Sequence, residues 1–229
     1  MADTSTDNPT WDAYAATNEP LFQSPEISLG PWTSYGLVHD PKHLAFVLGR
    51  YKFVAKMLQG RERVMEVGPG DGFGLPLVAH GVKHLYAVDW DQRLLDGNAR
   101  RLPHLTNVTY VRADLNKESP PLTVDAAYWV DVLEHVAAAA ESTLIENIVR
   151  CLPDDGVLIT GTPNKTASQY ASPASEVLHI NLKTMEELRS LMQRYFKNVF
   201  MFGMNDEVLH TGFAPLCHYI WSLAVGVRR

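Results

Sequence analysis

The densest chemical signal in the chain is the run Glu66-Val67-Gly68-Pro69-Gly70-Asp71-Gly72. Glycines at alternate positions let a turn of backbone pass close to a ligand, because no Cβ stands in the way. The run follows the apolar segment RVMEV at 63–67 and precedes a short helical pattern. In that context a glycine-rich turn binds ligands at the carboxyl ends of parallel strands. Asp89 stands 21 residues beyond Gly68, at the end of the next apolar run. That is the spacing at which a carboxylate grips a ribose diol. Asp114 ends a third run. Glu66 and Asp71 flank the turn and would oppose a pyrophosphate, even with a helix N-terminus behind it. The same charges suit a ligand carrying an ammonium and a positive sulfur, and they disfavour a dinucleotide. No Gly-Lys-Ser/Thr follows the glycines, which excludes a Walker A loop.

Acids at successive run ends act together only if the runs are neighbouring strands. RVMEV (63–67), HLYAVD (84–89), NVTYVR (107–112), VDAAYWV (124–130) and GVLITGT (156–162) lack polar–apolar alternation. Parallel strands covered on both faces have this character. Helical patterns alternate with them. One runs from Pro41, with Asp40 as cap, through Leu44, Val47, Tyr51, Val54 and Leu58 to a stop at Gly60. Others cover 75–80, 91–102, Ala137 to Cys151 (favoured by four alanines) and 184–195. The alternation predicts an α/β, Rossmann-like three-layer sandwich with right-handed crossovers. NVFMFG (198–203) and HYIWSLAVGV (218–227) are separated by a loop rather than a helix. They require an antiparallel pairing, so the expected sheet is seven-stranded and mostly parallel with an antiparallel last strand. Pro9, Pro20, Pro25 and Pro31 are expected to break any long helix in residues 1–40. That aromatic-rich arm is expected to lie across a single domain of residues 41–229, over a pocket or simply over core surface.

The segments VMEVGPGDGFG (64–74), VDWD (88–91), RADL (112–115), DVLEHV (131–136) and LPDDGVLITGTPN (152–164) carry a combined likeness. From about Tyr51 onward the chain resembles the class I S-adenosylmethionine-dependent methyltransferases, in particular the small-molecule subset containing ubiquinone-biosynthesis O-methyltransferases. The resemblance implies that Gly68, Pro69, Gly70 and Gly72 face the methionine part of the cofactor S-adenosyl-L-methionine, with Glu66 organising its amino end. It implies that Asp89 accepts from both ribose hydroxyls and that Trp90 packs near the adenine. Asp114 would receive the adenine amino group with Leu115 beside the ring, while Val130 and Asp131 meet the methionyl segment. The family also carries the antiparallel last strand.

Methyl transfer from a sulfonium needs an in-line nucleophile, desolvation and removal of a proton, but neither a metal nor a covalent residue. The acceptor pocket is expected near 131–135 and 160–181. His179, in the loop SQYASPASEVLHINLKT (168–184), is the expected base, since imidazole titrates near neutrality; its plainer role is a loop-fixing hydrogen bond. His135 is read first as a packing or helix-start residue and second as a proton acceptor. Tyr170 would orient an acceptor or line its pocket, and His210 would close it. Arg50 and Tyr51 would instead hold the cofactor carboxylate. There are nine histidines but no HxxxH helix or Cys/His cluster at regular spacing. Asp131, Glu134 and His135 are expected to point in different directions, so no metal site is expected.

Lys+Arg 20 against Asp+Glu 26 gives a formal charge of -6 with no long basic block, so no nucleic-acid partner is expected. Two cysteines, Cys151 and Cys217, suit inert packing in a reducing, cytoplasmic setting. The polar, acidic first residues do not form a secretory signal, and the run 212–227 reads as a buried strand rather than a membrane span. The expected function is methylation of a hydroxyl on a small or lipid-like metabolite. The alternatives are N-methylation of a small molecule, an NAD-dependent oxidoreductase, and a noncatalytic cofactor-binding module. Oligomeric state is left open.

Overall fold

The apolar runs form five parallel strands: β1 (Arg63–Val67), β2 (His84–Asp89), β3 (Val108–Arg112), β4 (Ala126–Val130) and β5 (Val157–Pro163). The computed structural model describes residues 9–24, 26–171 and 173–229. Three further strands, β6 (Phe196–Asn205), β7 (Val208–His210) and β8 (Tyr219–Val227), complete the order β3-β2-β1-β4-β5-β8-β6-β7. β8 lies antiparallel between β5 and β6, so the expected antiparallel last strand is present and buried. The sheet has eight strands rather than seven. The extra one is a three-residue hairpin partner of β6, joined through Asp206 and Glu207. Three residues are too few for any periodicity to announce.

Each face of the sheet has its own core. On one side Met65, Trp129 and Leu158 pack with Leu144, Ile145 and Ile148 of α6 (Glu141–Val149) and Leu188, Leu191 and Met192 of α8 (Met185–Gln193). On the other, Leu85, Tyr128 and Ile159 meet Val54 and Leu58 of α3 (Pro41–Leu58) and Leu75 and Val78 of α4 (Leu75–Ala79). Neighbours such as Tyr128 and Trp129 point to opposite faces, which is why these strands read as unbroken apolar runs. Each large side chain so buried contributes about 1.5–3 kcal/mol. Among the described residues, no helix is long and apolar enough to cross a membrane.

Three local expectations are corrected. Residues before 40 hold two helices, α1 (Pro9–Phe22) and α2 (Pro31–His39). Pro20 lies inside α1 rather than breaking it, Pro31 is the first residue of α2, and Pro25 lies outside the described residues. The four alanines precede α6 instead of starting it. There the chain is taken up by a 3₁₀ turn (Leu133–His135) and a further turn that carry Asp131 to His135 past the strand ends. Asp40 occupies the N-cap of α3 but makes no side-chain cap bond. Its backbone N–H closes α2 on the Gly36 carbonyl, because one residue separates the two helices.

Candidate cofactor and acceptor site

Register brings the strand tips together. Val67 pairs with Val88 on one side and Trp129 on the other, Asp89 pairs with Arg112, and Val130 with Gly161. A cleft of about 770 Å³ opens over these tips. Gly68, Gly70, Asp89, Trp90, Asp114, Leu115, Asp131 and His135 all line it.

Gly68, Gly70 and Gly72 have φ of 66°, 57° and 80°. A Cβ on Gly68 would stand 2.8 Å from Val132 Cγ2, and one on Gly70 2.9 Å from Trp32 Cζ3. Both conformation and space therefore require glycine here. The turn is held from α5 (Gln92–Arg101). Asn98 Nδ2 donates to the Gly70 carbonyl at 2.9 Å, and Arg101 Nη2 donates to the Asp71 carbonyl at 3.0 Å and to Asn98 Oδ1 at 2.6 Å. The sequence reading passed over both residues. The available signal was a polar side chain in the α5 stripe that otherwise reads Leu94, Leu95, Leu102.

The acids beside the turn act on the protein. Glu66 is fully buried and accepts from the hydroxyls of Tyr51 (3.0 Å) and Tyr128 (2.5 Å). Burial pushes its pKa up to about 7, against the pull of the two tyrosine bonds. Asp71 turns to α2, accepting from the Thr33 backbone N–H at 2.8 Å and the Thr33 hydroxyl at 3.0 Å. Both carboxyls are thus occupied within the fold, which removes much of the electrostatic case against a phosphate ligand drawn from them.

Asp89 and Asp114 share the cleft. Asp89 is only 7% exposed, and burial raises its pKa although backbone donors from Asp91, Trp90 and Gly70 pull it down. Its Oδ1 accepts from the Asp91 N–H at 2.9 Å. Asp114 is half-buried; its bond to Lys117 at 2.8 Å holds its pKa down. Trp90, 65% exposed, and Trp32 stand on the rim. Leu115 is buried, with its carbonyl held by Asn147. Val130 and Pro69 are buried outside the cleft lining.

At the other end Asp131 has φ 57° and pairs through Oδ2 with Arg50 Nη1 at 2.7 Å. Arg50 lies 4.0 Å over the Tyr219 ring. Burial lowers its pKa, but Asp131 outweighs that and holds the guanidinium charged. Asp131 Oδ1 is buried without a hydrogen-bond partner. Arg50 therefore reaches the cleft through Asp131, while Tyr51 turns into the core toward Glu66.

His135 lines the cleft, and its Nδ1 lies 3.1 Å from the Leu178 carbonyl. The His179 ring stands 5.1 Å away at 70°. Burial and His135 lower the His179 pKa, favouring the neutral imidazole. Behind them Glu134 Oε2 accepts from the Thr162 hydroxyl at 3.0 Å. Burial, then Asp131, raise the Glu134 pKa to about 8. Contrary to the expected divergence, Glu134, His135 and His179 each bring a ligand atom within 4.8 Å of the others; Asp131 alone of the three strand-end residues turns elsewhere.

Tyr170 and His210 lie outside the cleft lining. Tyr170, 82% exposed, ends a 3₁₀ turn (Lys165–Tyr170) drawn aside by Asn164, which donates to the Ala214 and Cys217 carbonyls. His210 sits on β7, hydrogen-bonded to Asn205.

Residues 65–160 match the methyltransferase-domain family. A probable S-adenosylmethionine-dependent methyltransferase of Mycobacterium tuberculosis is 28% identical over 156 residues, 67% of this chain and 55% of that protein. The chain thus spans about half the length of the curated relatives it matches. The N-methyltransferase NodS of Bradyrhizobium japonicum, solved with S-adenosyl-L-homocysteine, superposes with TM-score 0.60 at 15% identity over 86% of this chain and 92% of its own. DhpI, also solved with SAH, superposes with TM-score 0.57 at 14% identity over 95% of each chain. The chain carries the class I S-adenosylmethionine-dependent methyltransferase fold, and its methyltransferase-domain match covers the strands that build the cleft.

Proposed function

We propose that the chain transfers a methyl group from S-adenosylmethionine to a small molecule. The observation that carries this is the shared cleft, lined by Gly68 and Gly70 of the turn together with Asp89, Asp114 and Asp131. Asp89 takes the ribose hydroxyls, Trp90 and Leu115 border the adenine and Asp114 its amino group. The methionyl end runs over the glycines toward Asp131. The sulfonium supplies the electrophile, so this chain's residues have to align the acceptor and exclude water. His179, whose pKa burial and His135 lower, accepts the acceptor's proton.

A nitrogen acceptor has better support than the hydroxyl expected from sequence. NodS, a solved protein of the same fold, is an N-methyltransferase.

Calorimetry with S-adenosylmethionine and NAD tests the cofactor, and labelled methyl transfer to matched amine and alcohol acceptors tests the nucleophile. S-adenosylmethionine should bind, and Asp89→Ala should weaken it about ten- to a hundred-fold through loss of charge-assisted bonds worth roughly 1.5–3 kcal/mol. NAD binding, or full affinity in a folded Asp89→Ala protein, overturns the assignment. Label found only in the alcohols restores the hydroxyl reading.

A further inference from the structure

We infer, resting on the methyl-transfer reading and deepening it, that Asn98 and Arg101 of α5 are positioning residues for the cofactor: they preset the Gly68–Gly72 turn and, through Gly70, the Asp89 carboxylate. The chain of bonds is continuous. Arg101 Nη2 donates to Asn98 Oδ1 at 2.6 Å, Asn98 Nδ2 donates to the Gly70 carbonyl at 2.9 Å, and the Gly70 N–H is among the backbone donors on Asp89. The same Nη2 also donates to the Asp71 carbonyl at 3.0 Å. The Gly68 N–H donates to the Val88 carbonyl at 2.9 Å, so the turn and the tip of β2 are bonded at two places.

The chemistry of the pair runs in one direction. Arginine has donors only, so the Asn98 atom that faces it is the oxygen, and the nitrogen is left for Gly70. Asn98 is fully buried and spends both ends of its amide on this arrangement. The backbone makes room for both side chains. A Cβ on Gly72 would stand 2.8 Å from Asn98 Oδ1, and one on Gly97 would stand 2.8 Å from Arg101 Nη1. Because a peptide is planar, holding the Gly70 and Asp71 carbonyls fixes the peptides on both sides of Asp71.

Glycine loses more conformational freedom on ordering than any other residue. A turn built on Gly68, Gly70 and Gly72 would have to surrender that freedom when the cofactor arrives. The α5 pair makes it surrender the freedom during folding. The cofactor then meets a cradle already shaped, which raises affinity without adding a contact. Asp89 gains in the same way, since a carboxylate that accepts from both ribose hydroxyls has to be aimed before they arrive. Neither Asn98 nor Arg101 lines the cleft, so both act through the turn.

Calorimetry with S-adenosylmethionine on the full chain, joined to amide hydrogen exchange on the same samples without cofactor, tests the pair. Arg101→Met removes both donors at a partly exposed position. Asn98→Asp keeps the acceptor for Arg101 but turns an oxygen on the Gly70 carbonyl. Each should weaken the cofactor about tenfold, as loss of pre-organisation does, and speed exchange across residues 68–72. Both Arg101 bonds leave one nitrogen. Arg101→Lys, with three donors on one atom, should therefore restore binding to within about threefold of the wild type. In an Asp89→Ala background Arg101→Met should cost less than about twofold, because residues acting in series are not additive. A full tenfold loss in that background, or unchanged exchange across 68–72 in folded Arg101→Met protein, overturns the inference. Wild type that takes up no S-adenosylmethionine removes the methyl-transfer reading instead, while the exchange rates still decide whether the pair holds the turn.

Discussion

At the scale of single residues, position in the sheet decides what each carboxyl does. Asp89 ends β2 and Asp114 lies two residues beyond β3, both at the open cleft, whereas Glu66, one residue short of the end of β1, points into the core and is shared by two tyrosines. Its pKa of about 7 lies above the ordinary 4.5 because burial penalises the charge. Below pH 4.5 the folded and unfolded chains both hold the proton, and stability is complete. Between 4.5 and 7 the unfolded chain ionises first, so stability falls as pH rises, with a full penalty on the order of 3 kcal/mol above the folded pKa. Glu66→Gln removes the titration while keeping an acceptor for a tyrosine. Urea unfolding at pH 4.5 and 8 should therefore show the wild type losing roughly 2–3 kcal/mol relative to the variant. Parallel pH profiles would disprove this account. Sequence pattern located Glu66 beside the glycines. It could not show the tyrosine pair, because Tyr128 lies 62 residues away on the neighbouring strand.

At the scale of elements, the glycine turn is a joint between helices as well as a ligand cradle. The N-cap of α2 is Gly30, which offers no side chain, and Asp71 supplies the missing acceptor from across the fold. A Cβ on Gly30 would stand 2.4 Å from Asp71 Cβ, so glycine is what lets the carboxylate in. Asp71→Ala should cost about 1–2 kcal/mol, the worth of a helix cap. The loss should appear as faster amide hydrogen exchange across residues 31–39, with α3 protected as before. Unchanged exchange there would show that α2 is held by other contacts. This joint explains which elements were readable. β2 matches its apolar run residue for residue, and α3 and β1 match theirs, because burial on two faces or on one helical stripe leaves a periodic record. β7 leaves none, and the alanine run was misread because helix propensity is weak beside the demands of a turn that must cross the strand tips. Asn98 and Thr33 escaped notice because their partners lie 28 and 38 residues away in the chain.

Across the whole molecule the two N-terminal helices have different relations to the cleft. The side chains described in α1 are almost all exposed, Trp11, Tyr14 and Phe22 among them. α2 is anchored through Thr33 to Asp71, sets Trp32 against Gly70 at the cleft rim, and packs on α3, where a Cβ on Gly36 would meet Leu44 at 3.2 Å. We propose that the pocket-covering part of the arm is α2 alone. Removing residues 1–24 should then leave both the thermal midpoint and S-adenosylmethionine affinity unchanged, since the described side chains of α1 bury little surface. Removing residues 1–39 deletes the rim tryptophan and leaves the buried Asp71 carboxylate without its donors, a penalty of about 1–3 kcal/mol. Cofactor affinity should fall about tenfold, and the midpoint should drop by a few degrees, as about 1 kcal/mol does in a chain of this size. Calorimetry on the two truncated proteins measures the difference directly. Equal affinities would show that the arm covers core surface and takes no part in holding the cofactor, while a loss already complete at residue 24 would move the cover to α1.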